Sequence, residues 1–231
     1  MWKRIELHNH TIESDGTMTV QELVRYLELQ GIHAFSLTDH NTVSGFPGLT
    51  MACDSQASPM EYINGFELTS YYGHLLCQNV SAYIPWDDID KDFADSLFQR
   101  VHEAGGLAGP AHPFSLPFPF SNGMRWSMNI HDYHLIDFIE VINNAHPMSP
   151  DNQEAILWWE SLVFSVTASV RFPAWTYTVR SPWTAFIPPA SRWRNKRRLF
   201  PFPSSWIMGS VPAPPASPGD RCLTGNETGP D

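Results

Sequence analysis

Apolar and polar positions alternate along the first part of the chain in a pattern that predicts strands and helices in turn. Residues 3–7 alternate between polar and apolar side chains, which predicts a first strand. Thr19 and Glu22 then fit a capping box, after which apolar residues recur at helical spacing, namely Val20, Leu23, Val24 and Leu27. Gly31 can end this helix. The order of strand, turn and helix is typical of the first unit of an α/β fold.

The same patterning predicts further elements as far as residue 159. Strands are predicted over residues 34–38, 107–111 and 135–142, and helices over residues 89–105 and 150–159. Residues 46–60 show no regular period and are predicted to form a loop. Residues 114–126 are rich in Pro and Phe, which predicts a second loop. This loop is expected to lie over the candidate metal site described next.

The segment after the first predicted strand carries the groups of a metal site. Side chains two residues apart on a strand point the same way, so His8 and His10 can bind one ion together. A Ser-Asp-Gly turn can bring Asp15 back towards them. Imidazole suits Mn, Fe, Zn and Co, and a carboxylate allows a second, harder ion beside the first. Two histidines on a strand are also compatible with a solvated edge, so the later segments decide between these interpretations.

Further candidate ligands stand at the carboxyl ends of later predicted strands: His40, Glu67 and His112. In α/β barrels and open α/β sheets, the carboxyl ends of neighbouring parallel strands meet at the active site. His40 therefore converges on the first two histidines if their strands are parallel neighbours. The pair Asp39-His40 also fits a helix cap or a turn.

Glu67 and His74 complete the set of candidates. A carboxylate can bridge two metals because it offers two oxygens, and Glu67 is the candidate for that role. His74 is either a metal ligand or a partner for a phosphate or a neighbouring carboxylate. Glu140 either lines the pocket or is a solvated or paired charge. Four further histidines are not candidate ligands. His131, His134 and His146 have no partner spacing and are predicted to lie at the surface, and His102, beside the apolar stripe of its helix, is predicted to be structural or exposed.

The charge of the chain divides it into two parts. Residues 1–161 hold 6 Lys and Arg against 21 Asp and Glu, whereas residues 162–231 hold 8 against 3, within a net charge of −10. All ten histidines lie at or before His146, and 11 of the 20 prolines lie in the shorter second part. We expect this Pro-, Arg- and Trp-rich tail to be disordered, or a frame-shifted or otherwise non-homologous translation. A single short basic run is usually solvated, so no nucleic-acid partner is predicted.

Length and composition predict a soluble cytoplasmic protein of one or two domains. The chain has 231 residues and no run of about 18 apolar residues, and residues 1–6 lack the apolar core of a signal peptide. No membrane association is therefore predicted. Cys53, Cys77 and Cys222 have no short spacing, which predicts reduced thiols rather than a disulfide framework or a zinc finger.

Four segments, in this order, resemble the PHP (polymerase and histidinol phosphatase) family of metal-dependent hydrolases. They are Leu7-His8-Asn9-His10 with Asp15-Gly16, Thr38-Asp39-His40-Asn41, Gly65-Phe66-Glu67-Leu68-Thr69 with Gly73-His74, and Ala111-His112-Pro113. The third segment and the later Trp86-Asp87 most resemble the CehA/McbA-like branch. The resemblance covers roughly residues 3–161. It predicts a PHP metallohydrolase domain over residues 1–161, followed by an atypical tail over residues 162–231.

The resemblance implies a fold, a cofactor and a reaction. The fold would be an α/β, distorted (β/α)7 TIM-like barrel, here incomplete at its C-terminal end. Up to three divalent ions, Mn, Fe or Zn, would lie at its carboxyl-end face and activate a water that cleaves a small-molecule phosphoester. The family pattern places His8 and His10 on the first metal, Glu67 between the first and second, His112 and His74 on the second, and Asp15 with His40 on the third. The same residues, His74 aside, are expected to carry catalysis.

The family also supplies a late Asp-x-His to its first and third metals, and this sequence has none. No histidine follows His146. Two alternatives to a phosphoesterase therefore stay open. One is a truncated barrel that binds metal but has little or no activity, because lost ligands cost affinity and rate. The other is hydrolysis of an amide or a carbamate ester by the same metal site.

Overall fold

The computed structural model describes residues 4–54, 60–115, 123–143, 146, 148–166 and 176–178. The strands in this part of the chain are β1 (Ile5–Glu6), β2 (Ala34–Leu37), β3 (Glu61–Ser70), β4 (Gly73–Gln78), β5 (Leu107–Pro110), β6 (Ile139–Ile142) and β7 (Thr176–Thr178). The α-helices are α1 (Val20–Leu29), α2 (Phe46–Asp54), α3 (Ala94–Glu103) and α4 (Pro150–Val166), and a short 3-10 helix covers Tyr133–Leu135.

Five of the strands form one mixed sheet in the order β1-β2-β3-β4-β5. β1, β2 and β3 are parallel neighbours, as the predicted convergence of their ends requires. β4 is antiparallel to both β3 and β5. Only Tyr71 and Tyr72 separate β3 from β4, so this hairpin interrupts the succession of strand and helix. β6 and β7 form a separate parallel pair.

The five-stranded sheet curls, so that side chains from its two edges meet. Ile5 in β1 shares a buried cluster with Ala111, just after β5, and with Phe138, just before β6. The Asp137 amide donates to the Ala108 carbonyl at 3.0 Å, which joins the segment before β6 to β5. The described residues thus form a mixed α/β half-barrel. The complete (β/α)7 barrel stays a prediction, because most of the C-terminal segment lies outside the described residues.

The helices bury apolar stripes against the strands. Leu23 and Leu27 of α1 and Leu49 of α2 share one buried cluster with Phe35 of β2. α3 and α4 belong to a second cluster, which is built around the fully buried Phe66 of β3. Burying apolar surface is the main favourable term in folding, so these two clusters hold the strand ends in fixed positions.

The capping box predicted at the start of α1 is confirmed. The Glu22 amide donates to the Thr19 hydroxyl at 3.3 Å, and the Thr19 amide donates to the Glu22 carboxylate at 2.8 Å. These two bonds satisfy backbone donors that lack a partner within the helix. Gly31 follows the helix at φ +69°, a conformation that glycine adopts without strain.

Residues 46–60, predicted to be a loop, contain α2. Leu49, Ala52 and Cys53 recur at helical spacing and are buried. Pro47 lies in the first turn, where its missing N–H breaks no helical hydrogen bond. Glycine and threonine in this segment are weak helix formers, and packing against α1 and β3 overrides their low propensity.

In two places, a turn or a 3-10 helix takes up part of the range predicted for a longer element. The helix predicted over residues 89–105 is α3, which begins only at Ala94, because Asp90 accepts a hydrogen bond from the Asp92 amide and forms a turn first. In the strand predicted over residues 135–142, only β6 pairs as a strand, because the 3-10 helix capped by Asp132 takes in Leu135 at the start of that range.

The remaining predicted elements are confirmed, with small changes at their ends. β1 is shorter than the strand predicted over residues 3–7, β2 and β5 match their predictions, and α4 extends past residue 159. Cys53 and Cys77 are buried free thiols, and Cys222 lies outside the described residues. Among the helices that the structure describes, none has both the length and the apolar character needed to cross a membrane.

Replacing Thr19 by Ala tests the cap of α1. The variant loses the bonds between the Thr19 hydroxyl and Glu22, so we expect the free energy of unfolding to fall by about 1 kcal/mol. Urea denaturation followed by circular dichroism measures the change. Thr17→Ala removes an exposed threonine nearby and should leave the unfolding curve in place. Equal losses in the two variants would contradict the capping role.

Candidate metal centre

The predicted ligands converge at one end of the curled sheet. Three groups have ligand atoms that all lie within 4.8 Å of one another: His8 with His10 and Glu67, His10 with Asp15 and His40, and His40 with Glu67 and His74. His112 joins them through Glu67, at 3.0 Å. The structure therefore brings all seven of the predicted residues into one cluster.

Glu67 lies inside β3 rather than at its end, which corrects the prediction. Pairing of β2 with β3 ends at Leu37 and Asn64, and β3 continues from there to Ser70. The Glu67 amide donates to the Asp39 carbonyl at 3.2 Å, so the chain after β2 still follows β3 at this level. Because β3 continues beyond the end of β2, a residue in the middle of β3 reaches the cluster formed at the strand ends.

One oxygen of Glu67 faces three histidines. Oε2 lies 3.0 Å from His8 Nε2, 3.3 Å from His10 Nε2 and 3.1 Å from His40 Nδ1. His8 Nε2 and His10 Nε2 also lie 2.8 Å from each other. The side-chain spacing predicted for His8 and His10 is therefore observed: both rings point to the same carboxylate oxygen.

The other oxygen of Glu67 faces two further histidines. Oε1 lies 2.8 Å from His74 Nδ1 and 3.0 Å from His112 Nε2. His74 reaches it from β4, where it pairs with Thr69, two residues beyond Glu67 and on the same face of β3. His112 approaches from the end of β5. Each carboxylate oxygen thus has its own group of imidazoles, an arrangement that suits a carboxylate shared between two ions.

Asp15 lies on the exposed side of the cluster. Its Oδ1 is 3.3 Å from His10 Nδ1 and its Oδ2 is 3.5 Å from His40 Nε2. The turn that returns it requires glycine at position 16, since a Cβ there would lie 2.5 Å from the carbonyl oxygen of His10. The Asp15 side chain is 67% exposed, whereas Glu67 is fully buried. Solvent therefore reaches the cluster from the Asp15 side.

Asp39 holds the loop that carries Asp15. Its carboxylate accepts hydrogen bonds from the Thr11 amide at 2.7 Å, the Thr11 hydroxyl at 2.8 Å and the Ser14 hydroxyl at 2.6 Å. Asp39 is buried, and its neighbour His40 points into the cluster. The two interpretations of Asp39-His40 therefore apply to different residues: Asp39 fixes a turn and His40 joins the candidate ligands.

Burial and pairing set the ionisation of the cluster. Burial alone would raise the pKa of Glu67, but the nearby imidazoles, with His8 first among them, hold it well below its ordinary value. Burial alone would lower the pKa of His8, but Glu67 and Glu140 raise it well above its ordinary value. The pKa of His112 is raised by the same carboxylates against the effect of burial. The pairing thus favours the charged forms of both the histidines and the carboxylates, and a metal ion would compete with protons for the same nitrogens.

The donor set fits divalent metal ions. Imidazole nitrogens with a few carboxylate oxygens are ligands for Zn, Fe and Mn. His8 Nε2, His10 Nε2 and Glu67 Oε2 face one another at distances that a shared cation would join. His10 Nδ1 is buried and makes no hydrogen bond to any described residue. Asp15 Oδ1 lies 3.3 Å from this nitrogen without forming a hydrogen bond with it, as two ligands of one cation would.

Glu140 belongs to the surroundings of the cluster, and the sequence pattern alone left its place open. It is fully buried in β6, and its two oxygens lie 3.1 and 3.2 Å from His8 Nδ1. The available signal was a single carboxylate between Ile139 and Val141 in a predicted strand, because a charge in such a strand needs a buried partner. The paired-charge interpretation is therefore correct.

The other histidines stay apart from the cluster, as predicted. His102 is partly buried and lies 2.6 Å from Asp137, which makes it a structural residue. His131, His134 and His146 are exposed. Of the loop predicted over residues 114–126, residues 116–122 lie outside the described part, and Met124 brings its carbonyl oxygen within 3.2 Å of His112 Nδ1.

Replacing Glu67 by Gln tests the centre of the cluster. The variant keeps the shape of the side chain but removes the charge that both groups of imidazoles face. We expect apparent affinity for Mn²⁺ and Zn²⁺ to fall more than about 100-fold, since even partners outside the ligand set are typically worth 10–100-fold. Equilibrium dialysis with plasma mass spectrometry measures it. Glu103→Gln, an exposed change in α3, is the control, and undiminished binding by Glu67→Gln would contradict the assignment.

Replacing Asp39 by Ala tests the hold on the Asp15 loop. The Thr11 amide would be left buried without its partner, so we expect the free energy of unfolding to fall by about 3 kcal/mol. Urea denaturation measures this change. Asp87→Ala, at an exposed position, should cost less than about 0.5 kcal/mol. A loss for Asp39→Ala as small as that of the control would show that the loop does not depend on this carboxylate.

Sequence comparisons place the first part of the chain beside known proteins. Residues 6–105 match the family model of the PHP domain. The chain is also 33% identical over 70 residues to a 5'-3' exoribonuclease from Haemophilus influenzae. That match covers 30% of this chain and 25% of the relative, so the chain spans about a quarter of the relative's length.

Solved structures share the fold. A two-domain protein from Bacteroides vulgatus, containing a predicted PHP-like metal-dependent phosphoesterase, superposes with a TM-score of 0.52 at 20% identity, over 69% of this chain and 48% of that one. An amidohydrolase from Chromobacterium violaceum superposes with a TM-score of 0.50 at 13% identity, over 77% of this chain and 87% of that one. At these identities the likeness concerns the fold alone. By sequence over residues 6–105, and by the fold of its curled sheet, the chain is similar to PHP domains.

Proposed function

We propose that this protein is a metal-dependent hydrolase that cleaves a small-molecule phosphoester with a metal-activated water. The observation that carries the proposal is the buried Glu67 carboxylate, whose two oxygens face separate groups of imidazoles. A bridging carboxylate between two groups of nitrogen donors is suited to holding two ions close together. Two-ion centres act well on phosphoesters, since they stabilise both the attacking and the leaving oxygen.

The proposed ligand groups follow the geometry of the cluster. His8, His10 and Glu67 Oε2 would hold one ion, and His74, His112 and Glu67 Oε1 would hold the second. Asp15 and His40, with His10 beside them, would hold a third. The chemistry that such ions supply when bound is a lowered pKa of a coordinated water and neutralisation of charge on phosphoryl oxygens.

The residues of the chain supply position and access. Exposure rises across the cluster from Glu67 at 0% through His10 at 18% and His40 at 27% to Asp15 at 67%. A substrate would therefore approach from the Asp15 and His40 side, while the apolar clusters behind Glu67 exclude water. The Thr69 hydroxyl, 2.5 Å from His40 Nδ1, orients the His40 ring toward that open side.

The comparisons support this class of reaction. The Haemophilus influenzae relative is named as a 5'-3' exoribonuclease, and the Bacteroides vulgatus structure as a two-domain protein containing a predicted PHP-like metal-dependent phosphoesterase. We assign the chain to the CehA/McbA-like branch on its Glu-Leu-Thr and Gly-His segments, and we propose Mn, Fe or Zn as its metals. Residues 1–161 would form the metallohydrolase domain, and the frame-shift hypothesis for residues 162–231 is tested by independent sequencing of the gene.

Two alternative functions have their own supporting observations. The Chromobacterium violaceum structure is named as an amidohydrolase, which favours hydrolysis of an amide or a carbamate ester by the same centre. The absence of any histidine after His146 in the sequence favours a metal-binding protein with weak or no activity. Substrate class separates the first alternative from the proposal, and turnover by metal-loaded protein separates the second.

Replacing His10 by Ala tests the proposed activity. Native protein loaded with Mn²⁺ should hydrolyse 4-nitrophenyl phosphate or bis(4-nitrophenyl) phosphate, and His10→Ala should lose at least about 100-fold in kcat/KM because a ligand is removed. Release of 4-nitrophenol measures it. His131→Ala, at an exposed histidine outside the cluster, should keep full activity.

The same assay distinguishes the alternatives. Faster hydrolysis of a 4-nitrophenyl carbamate or of 4-nitroacetanilide would replace the phosphoester by the amide or carbamate function. Protein that binds two or three metal ions but turns over none of these substrates would contradict every hydrolase assignment. Activity that survives His10→Ala would contradict the site.

A further inference from the structure

We propose that Glu140 is a shared positioning residue for the metal centre, which orients His8 and His112 from a single buried carboxylate. This inference rests on the proposed function, because it concerns how the chain prepares the same ligands. Glu140 lies in β6, beyond the strands that carry the candidate ligands, and it belongs to none of the three metal-ligand groups. It acts through other residues rather than on a substrate.

The first contact of Glu140 selects one tautomer of His8. Both of its oxygens lie within 3.2 Å of His8 Nδ1, whereas His8 Nε2 faces Glu67. A carboxylate only accepts hydrogen bonds, so the Nδ1 atom must carry a proton to donate to it. By the same argument Nε2, which faces the Glu67 carboxylate at 3.0 Å, carries a second proton; a cation that displaced this second proton would meet the Nε2 lone pair while Glu140 still held the proton on Nδ1.

The second contact of Glu140 holds the backbone of His112. The His112 amide donates to Glu140 Oε2 at 2.8 Å, and His112 has φ +26°, in the region that residues other than glycine rarely adopt. Backbone in such a conformation persists only where its surroundings fix it. From this position His112 Nε2 reaches Oε1 of Glu67.

These two contacts join opposite sides of the centre. His8 belongs to the group at Glu67 Oε2, and His112 belongs to the group at Glu67 Oε1. The side-chain amide of Asn143 donates to Glu140 Oε1 at 3.2 Å, and the backbone amide of Asn143 donates to the side-chain oxygen of Asn152 in α4 at 3.2 Å. Glu140 is thereby held by the packing of β6 against α4, so the position of that helix is transmitted to both groups of ligands.

The chain offers a matched control in Asp137, three residues before Glu140. Asp137 is also buried, and it also accepts from a backbone amide, Ala108 N at 2.9 Å, and faces an imidazole, His102 at 2.6 Å. Neither His102 nor Ala108 is a candidate ligand. Asp137→Asn and Glu140→Gln therefore make the same chemical change to similar buried carboxylates, of which Glu140 is the one placed against His8 and His112.

The test compares zinc binding by native protein, Glu140→Gln and Asp137→Asn, using dialysis and plasma mass spectrometry. In Glu140→Gln the amide group would face donors at His8 Nδ1 or the His112 amide, and relief by tautomer exchange would put the His8 proton on Nε2. We expect apparent zinc affinity to fall about 10–100-fold in Glu140→Gln and to stay unchanged in Asp137→Asn. Equal losses, or no loss in Glu140→Gln, would overturn the inference.

A measurement on native protein decides the case if Glu140→Gln does not fold. In zinc-loaded native protein, long-range proton–nitrogen spectra should show His8 with its proton on Nδ1 and zinc on Nε2. The opposite tautomer would overturn the inference. Native protein that binds no zinc or manganese at all would instead overturn the proposed function, so the two failures are distinguishable.

Discussion

The candidate metal centre depends on one buried charge, the carboxylate of Glu67. An ionised carboxylate buried without partners is so costly that it would take up a proton instead. Here five imidazoles surround it and hold its pKa well below the ordinary value. The charge is therefore kept, and it is the feature that makes the cluster attractive to a cation. Every strand of the curled sheet contributes to this balance, either with a ligand of its own or just before one.

The arrangement around Glu67 follows from ordinary strand geometry. Three parallel strands bring their ends to one side. β3 extends beyond the last residue of β2, so that the middle of β3 reaches the level of the other strand ends. The hairpin to β4 then pairs His74 with Thr69, which lies two residues after Glu67 and on the same face of β3. Buried carboxylates just outside the ligands keep this geometry: Asp39 holds the loop that carries Asp15, and Glu140 faces His8 and the His112 amide.

The sequence predicts the ligands better than it predicts the elements that carry them. Histidines after short apolar runs are local signals, so His8, His10, His40 and His112 could be placed at strand ends from the pattern alone. The position of Glu67 inside its strand could not be predicted in this way, because it depends on how far β3 extends beyond the end of β2. α2 was missed because tertiary packing overrides its low helix propensity. The role of Glu140 depends on the curl of the sheet, which brings β6 to His8 across more than a hundred residues of chain and leaves no local trace.

The proposed function requires the Glu67 carboxylate to be shared between two metal ions. Anomalous X-ray diffraction from crystals grown with zinc, recorded on both sides of the zinc absorption edge, tests it most directly. We expect two peaks, one on either side of the carboxylate, each about 2.0–2.2 Å from one of its oxygens, with His8 near one and His112 near the other. A single peak bound by Asp15 and His40 alone, or no peak within coordination distance of Glu67, would contradict it.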